Sequence, residues 1–124
     1  MKKIIFKTNL FTFQGVLNDT DAASEIFRGL PVNSNVSRWG KEIYFDLGFK
    51  VSSQSATTEV APGDIGYWPQ GKALCIFYGP TPLSEEEDKP VPASPVVIVG
   101  KTTAEPASLD KIKLGEPISL DKCP

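Results

Sequence analysis

One segment, residues 62–82, constrains the fold of this chain more than any other. Two apolar, aromatic-rich runs at 64–68 and 73–78 flank the tetrapeptide Pro-Gln-Gly-Lys at 69–72. β-Branched and aromatic residues favour pleated strands, and proline and glycine supply the backbone angles of a tight turn. The segment therefore predicts a β-hairpin. A cluster of aromatic residues beside a turn, with few titratable groups nearby, favours a surface that binds an apolar group over one that performs acid–base chemistry.

The rest of the chain is also predicted to be mostly β. Residues 3–7 and 10–17 have the pattern of an opening hairpin around Thr8-Asn9. Further strands are expected over 38–46, 95–101 and 117–120, and we interpret the polar residues 32–37 as a loop. Residues 51–61 are either an exposed strand or a mobile loop. The acidic, proline-rich residues 81–94 are expected to be a solvated loop, with four consecutive acidic residues at 85–88.

Two short helices are expected. The first follows Asp19 or Thr20, either of which can cap its N-terminus, and ends at Gly29. Alanine, isoleucine and phenylalanine at helical spacing between these limits supply an apolar face. The second is a helical turn over 109–114, ended by Gly115.

Composition excludes several classes of function. The chain has 124 residues, which predicts one domain over 1–124, and a formal net charge of -2. A net charge of this sign and size does not favour binding to nucleic acid. No run approaches the roughly 20 apolar residues that cross a bilayer, so we expect no membrane span. The chain begins like a signal peptide, but the apolar run stops at Phe6, which favours a cytoplasmic protein. The sequence carries no signal for the oligomeric state.

The chain contains no histidine, which excludes hydrolases that use histidine as their base and removes the commonest transition-metal ligand. Its two cysteines, Cys75 and Cys123, have neither metal-binding nor redox spacing, and Cys75 is expected to be a small buried apolar residue. We therefore expect no metal, no cofactor and no catalytic residue. Carboxylate chemistry stays open in principle, although no pair stands out, through Glu42, Asp46, Glu59 or Asp64.

The chain resembles the cyclophilins, and in particular the small stand-alone prokaryotic cyclophilin-like proteins of uncharacterised function. Long blocks carry this resemblance: Trp39-Gly40, then residues 42–45, 63–69, 71–77 and 79–84. A fainter likeness to true cyclophilins lies in residues 62–65, 76–77 and 96–101. The resemblance implies a mainly β fold, a closed eight-stranded cyclophilin-like β-barrel with one or two short helices. It also implies a ligand cleft on the outer wall of the barrel.

The chain departs from the cyclophilin isomerases where their chemistry resides. An isomerase surrounds its peptide with an arginine, a nearby glutamine, an aromatic proline pocket and a segment that runs from tryptophan to histidine. Residues 39–44 have no arginine in the expected place, and Arg38 or Lys41 substitutes for it only if the strand register allows. Phe77 corresponds to the pocket phenylalanine, whereas Trp68-Pro69 replaces a small Ala-Asn platform and reshapes the cleft. The tryptophan-to-histidine segment has no counterpart in residues 89–95.

These observations predict a barrel that binds a small molecule or a short peptide in an aromatic cleft, without established catalysis. Each aromatic residue alone has packing in the core or at the rim as its alternative. Glu42 is either a surface strand residue or a carboxylate that recognises a cationic or hydrogen-bond-donating ligand. The predicted ligand-binding residues are Arg38, Trp39, Glu42, Tyr44, Tyr67, Trp68 and Phe77.

Two other functions stay open. One is a weak or atypical peptidyl-prolyl isomerase that stabilises the twisted imide with Arg38, Lys41 or backbone donors. The other is a protein-interaction module that uses the acidic loop and the Ser/Thr-rich residues 51–61.

Overall fold

The computed structural model describes residues 2–52 and 55–124, which form nine β-strands and two short helices. In chain order the elements are β1 Lys2–Lys7, β2 Thr12–Leu17, α1 Asp21–Arg28, β3 Val32–Asn35, β4 Ser37–Arg38, β5 Glu42–Asp46, β6 Asp64–Trp68, β7 Ala73–Phe77, β8 Val97–Thr102, α2 Pro106–Leu109 and β9 Pro117–Lys122.

The nine strands form one antiparallel sheet that curves into a nearly closed barrel. Its strand order is β3-β9-β1-β2-β8-β6-β7-β5-β4. The two edge strands, β3 and β4, are separated along the chain only by Val36, so the chain passes directly from one edge of the sheet to the other. The Val36 backbone N–H donates to the Glu116 carbonyl at 2.9 Å, and the Gly115 N–H donates to the Val36 carbonyl at 2.7 Å. The predicted mainly β barrel with two short helices is confirmed.

The prediction of a loop over residues 32–37 was wrong, because this segment contains β3 and the first residue of β4. Residues 32–35 pair with β9, and Ser37-Arg38 pair with β5. Their polar side chains obscured the strands in the sequence, because β3 gains its stability from backbone pairing with β9, which is distant in the chain, and β4 is only two residues long.

Both predicted hairpins are confirmed. In the opening hairpin Lys2 pairs with Leu17 and Lys7 pairs with Thr12. In the central hairpin β6 pairs with β7, from Ile65 opposite Ile76 to Trp68 opposite Ala73. The strands predicted near 95–101 and 117–120 correspond to β8 and β9.

Helix α1 begins and ends as its sequence predicts. The Thr20 hydroxyl caps it by accepting a hydrogen bond from the Ala23 backbone N–H at 3.2 Å, and Gly29 is its C-cap. The second helix lies earlier than predicted: it spans Pro106–Leu109 rather than 109–114. Proline suits the first turn of a helix, where its missing N–H costs nothing, so the helix begins at Pro106.

Two clusters of apolar side chains lie on opposite faces of the β5–β7–β6 region. The main core fills the barrel and includes Ile43 and Phe45 of β5. Successive side chains on a strand point to opposite faces, so Glu42 and Tyr44 lie on the outer face. A second cluster covers this outer face, and it consists of Val60, Cys75, Phe77 and Val96, with Tyr44, Trp68 and Ile98 packed against it.

Residues 51–61 are largely irregular in the part that the structure describes. Thr57 pairs with Val96 in an isolated antiparallel bridge, with Thr57 N–H donating to the Val96 carbonyl at 2.8 Å. Ser53 and Gln54, which belong to this predicted exposed strand or loop, lie outside the described residues. The bridge brings residues 57–60 beside the second cluster, to which Val60 contributes.

Candidate ligand-binding cleft

A cleft of about 230 Å³ opens on the outer wall of the barrel, above the second cluster. Its floor comes from β5 and β7, one wall comes from the end of β6, and the opposite wall comes from the segment that leads into β8. The lining residues are Trp39, Glu42, Tyr44, Trp68, Cys75, Phe77, Pro92, Ala93, Ser94 and Val96.

Strand register determines which residues form the floor of the cleft. Tyr44 lies opposite Cys75, and Cys75 lies opposite Gly66 on its other side. Glycine has no side chain, so the row narrows at Gly66, where an added Cβ would lie 3.1 Å from Val96 Cγ2 and 3.4 Å from Phe77 Cε2. The side chains of Val96 and Phe77 therefore occupy the space above Gly66, and both residues line the cleft.

Trp68 forms one wall and is held from three sides. Its ring meets the Tyr44 ring edge-on, with centroids 6.1 Å apart and planes at 88°. Its indole Nε1–H donates to the Ser94 hydroxyl at 2.7 Å. The ring also lies over the hairpin turn, where a Cβ added at Gly71 would be 2.5 Å from Trp68 Cε3. These contacts fix the indole as a preformed surface rather than a mobile lid.

Glu42 brings a carboxylate into this apolar site. The residue is only 6 % exposed, which excludes the alternative of a surface strand residue. Burial raises its pKa from 4.5 to about 7, and a hydrogen bond from the Cys75 thiol offsets part of that rise. The pKa of the thiol is itself raised well above its usual value, first by burial and then by the neighbouring Glu42. Glu42 therefore gains or loses its proton near neutral pH.

Five of the seven predicted ligand-binding residues line the cleft: Trp39, Glu42, Tyr44, Trp68 and Phe77. Tyr67 does not. Its side chain is fully buried in the main core, and its hydroxyl accepts a hydrogen bond from the Val51 N–H at 3.1 Å. Tyr67 and Trp68 are consecutive in β6 and point to opposite faces, so Trp68 faces the cleft and Tyr67 faces the main core.

Arg38 also lies outside the lining. Its guanidinium donates to the carbonyls of Leu109 at 3.2 Å and Ile112 at 2.8 Å, and to the Tyr78 hydroxyl. These bonds tie β4 to the segment that follows α2. Arg38 is therefore not brought into the cleft, because its guanidinium is held by backbone carbonyls and by Tyr78.

Lys41 is directed to the same side as Arg38. Its ammonium group forms a bidentate pair with Asp110, at 2.7 and 2.8 Å, and Asp110 also accepts from the Tyr78 hydroxyl at 2.7 Å. The bond from Lys41, and then the bond from Tyr78, lower the pKa of Asp110. Burial, followed by the bond to Asp110, raises the pKa of Tyr78 to about 12. Neither cation considered as a substitute for the isomerase arginine lines the cleft.

Sequence reasoning missed half of the lining. Cys75 could have been predicted, since it lies two residues before Phe77 on one strand and so points to the same face. The residues of 92–96 carried no signal, because the return of a proline-rich segment to the barrel wall depends on tertiary contacts. Among those contacts, the Thr81 hydroxyl donates to the Val91 carbonyl at 2.6 Å.

The described residues provide no metal site. Across 2–52 and 55–124, no group of three or more His, Cys, Asp or Glu side chains is placed to hold a metal ion. In the same part of the chain, no helix has both the length and the apolar character needed to span a bilayer.

The fold and the cleft together define a small antiparallel β-barrel with an aromatic, acid-containing recess on its outer wall. The chain belongs to the cyclophilin-like family, whose family model matches residues 2–121. The family prediction is therefore confirmed. No curated protein matches the chain.

Among the solved structures that share the fold are two with different degrees of similarity to this chain. One is the solution structure of the hypothetical protein AF2241 from Archaeoglobus fulgidus, which is 30% identical, with a TM-score of 0.82, over 98% of this chain and 95% of that one. The other is McbB in complex with tryptophan, which is 16% identical, with a TM-score of 0.66, over 95% of this chain. This chain spans 44% of McbB, and a likeness at that identity shows the fold alone.

Proposed function

We propose that this protein binds a small molecule or a short peptide segment in the outer-wall cleft, without established catalysis. The observation that carries the proposal is the preformed aromatic recess itself. The side chains of Trp39, Tyr44, Trp68 and Phe77 line one space. Binding sites are concave, mostly apolar and fitted with a few polar groups, and this recess has that composition.

The size of the cleft limits the ligand. Pockets for drug-sized ligands occupy about 300–1,000 Å³, and this cleft holds about 230 Å³. A fragment-sized molecule or one side chain of a peptide fits that volume.

The positions of the cations do not favour the isomerase alternative. That alternative requires a donor that reaches a twisted imide, and both Arg38 and Lys41 are bonded to groups around α2 rather than directed into the recess. Serving in catalysis would require them to leave those partners.

The two tryptophans make a direct test. The chain has only Trp39 and Trp68, and both line the cleft, so intrinsic indole fluorescence reports on this site alone. We expect benzyl alcohol, as a small apolar probe, or a capped phenylalanine amide, as a peptide probe, to change this fluorescence with saturation.

A matched pair of variants provides the control. Ala93→Phe places a ring at the exposed rim of the cleft and should abolish the saturable change. Ala107→Phe adds the same ring at an exposed position of α2 and should leave the change intact. The proposal would be refuted if the indole fluorescence of the unmodified protein changed only linearly with the concentration of every probe, without saturation.

A further inference from the structure

Within residues 2–52 and 55–124, Glu42 has no counter-ion of the kind that a buried carboxylate ordinarily has. A buried charge is costly unless it is paired. Among the described residues, the salt bridges involve Asp19, Asp64 and Asp110 but not Glu42. The polar partner that faces Glu42 is the Cys75 thiol, which is a weak donor.

The neighbouring cations are held away from Glu42. Lys41 precedes it in the chain, yet its ammonium group pairs with Asp110 at 2.7 Å. Arg38 on the adjacent strand β4 is bonded to Tyr78 and to backbone carbonyls. The protein thus gathers two positive charges around one exposed aspartate and leaves the buried glutamate in the recess without either.

The walls around Glu42 suit a positive charge. The faces of tryptophan and tyrosine rings carry negative potential and attract ammonium groups, most strongly where water is excluded. Trp39, Tyr44 and Trp68 supply such rings in the same recess. Ser94, the hydroxyl-bearing side chain of the opposite wall, already accepts the indole N–H of Trp68.

We propose that the ligand of this cleft is a small protonated amine, whose ammonium group pairs with Glu42 while its carbon skeleton lies against Trp39, Tyr44 and Trp68. This inference rests on the proposed binding function and names the ligand class. It assigns Glu42 as the counter-ion and the aromatic rings as the cation-binding walls.

The pH dependence of binding follows from the surroundings of Glu42. Burial raises its pKa to about 7. Cys75 on β7 is the titratable group that faces it; β6 presents Gly66 and Trp68, the segment 92–96 presents no charge, and Arg38 and Lys41 point to Asp110. Ammonium binding requires the carboxylate, so affinity should fall by about 30-fold from about pH 8 to about pH 5.5, where the proton competes for Glu42.

The test compares two nearly isosteric probes, benzylamine and benzyl alcohol, by calorimetry and indole fluorescence. Benzylamine is protonated at about pH 8, as alkyl ammonium groups generally are. We expect it to bind at least about tenfold more tightly than the alcohol, since a desolvated ion pair inside an aromatic recess adds about 1.4 kcal/mol or more. Capped lysine amide, as a third probe, distinguishes a free amine from a peptide side chain: tighter binding of benzylamine supports the small-molecule class, and tighter binding of the lysine overturns it.

Two variants isolate Glu42. Glu42→Gln keeps the shape and removes the charge, and should abolish the preference for benzylamine while benzyl alcohol still binds. Glu105→Gln removes the same charge from an exposed residue that makes no side-chain cap bond, and should leave the preference unchanged. The pH profile of the unmodified protein tests the same ion pair without any substitution.

The outcomes separate the two proposals. Three results would overturn the ammonium assignment without refuting the binding cleft. Benzylamine and benzyl alcohol could bind equally tightly, the preference for benzylamine could persist in Glu42→Gln, or the affinity for benzylamine could be independent of pH. If neither probe binds, the proposed function fails together with this inference.

Discussion

Replacing Glu42 by glutamine should stabilise the protein above neutral pH, although the residue is buried. The folded state holds the carboxyl group among Trp68, Phe77 and the Cys75 thiol, where the charged form loses its hydration. Its pKa rises from 4.5 to about 7. A group with a raised folded-state pKa contributes stability when it is protonated, and that contribution is lost as the pH rises through the folded pKa.

The magnitude follows from the two pKa values. One pKa unit corresponds to about 1.4 kcal/mol, so ionising Glu42 lowers the free energy of unfolding by up to about 3 kcal/mol once the pH exceeds about 8. Glutamine carries no charge at any of these pH values. The free energy of unfolding of the variant, relative to that of the unmodified protein, should therefore increase by about 2 to 3 kcal/mol from about pH 5 to about pH 8. For a domain of this size this is a difference of about 10 °C in Tm.

Urea unfolding followed by circular dichroism, at several pH values across this interval, measures the effect. The interval isolates Glu42, because the chain has no histidine, the lowered pKa values of Glu25 and Asp110 lie below it, and the pKa of Tyr78, about 12, lies above it. Burying the glutamine amide changes the free energy of unfolding by the same amount at every pH, so it does not affect the comparison of how the two proteins depend on pH. Glu105→Gln, which changes an exposed carboxylate, should run parallel to the unmodified protein. Parallel profiles for Glu42→Gln as well would refute the account of its burial.

Three further substitutions test the packing of the cleft and of the barrel strands. Phe77→Ala removes a fully buried ring beneath the floor and should cost about 3–5 kcal/mol in urea unfolding, whereas Leu114→Ala at a 71% exposed site should stay within about 0.5 kcal/mol; equal losses would contradict the assignment. Trp68→Phe deletes the indole donor to Ser94, should cost about 1 kcal/mol and should speed amide hydrogen exchange in residues 92–96; unchanged exchange there would show that the bond does not hold the wall. Gly100→Ala would place a Cβ against the Val16 carbonyl oxygen and 3.1 Å from Leu17 Cα, both backbone atoms, and should cost about 1–3 kcal/mol as judged by thermal unfolding; an unchanged Tm would mean that β2 and β8 separate freely.

The parts of the fold that were predictable from sequence are those with local signals. The central hairpin had its turn residues between two apolar runs, and α1 had a capping residue and a terminating glycine. The pairing of residues 32–38 had no such signal. β3 pairs with β9, which is far away in the chain, and β4, which pairs with the nearby β5, is a strand of only two residues. Polar composition alone therefore misled the prediction at the point where the barrel closes.

The candidate site was predictable only as far as strand alternation reaches. Alternation along β5 puts Glu42 and Tyr44 on one face, and alternation along β6 separates Tyr67 from Trp68. Alternation does not reveal whether other residues cover a face of the sheet. Here residues 92–96 cover it, and the hydrogen bond from the Thr81 hydroxyl to the Val91 carbonyl helps to hold this proline-rich segment in place. That cover turns Glu42 from a solvated strand residue into a buried carboxylate, which raises its pKa and creates the need for a partner. The chemistry of the cleft thus arises from the irregular segment that presses an acidic strand position against aromatic rings.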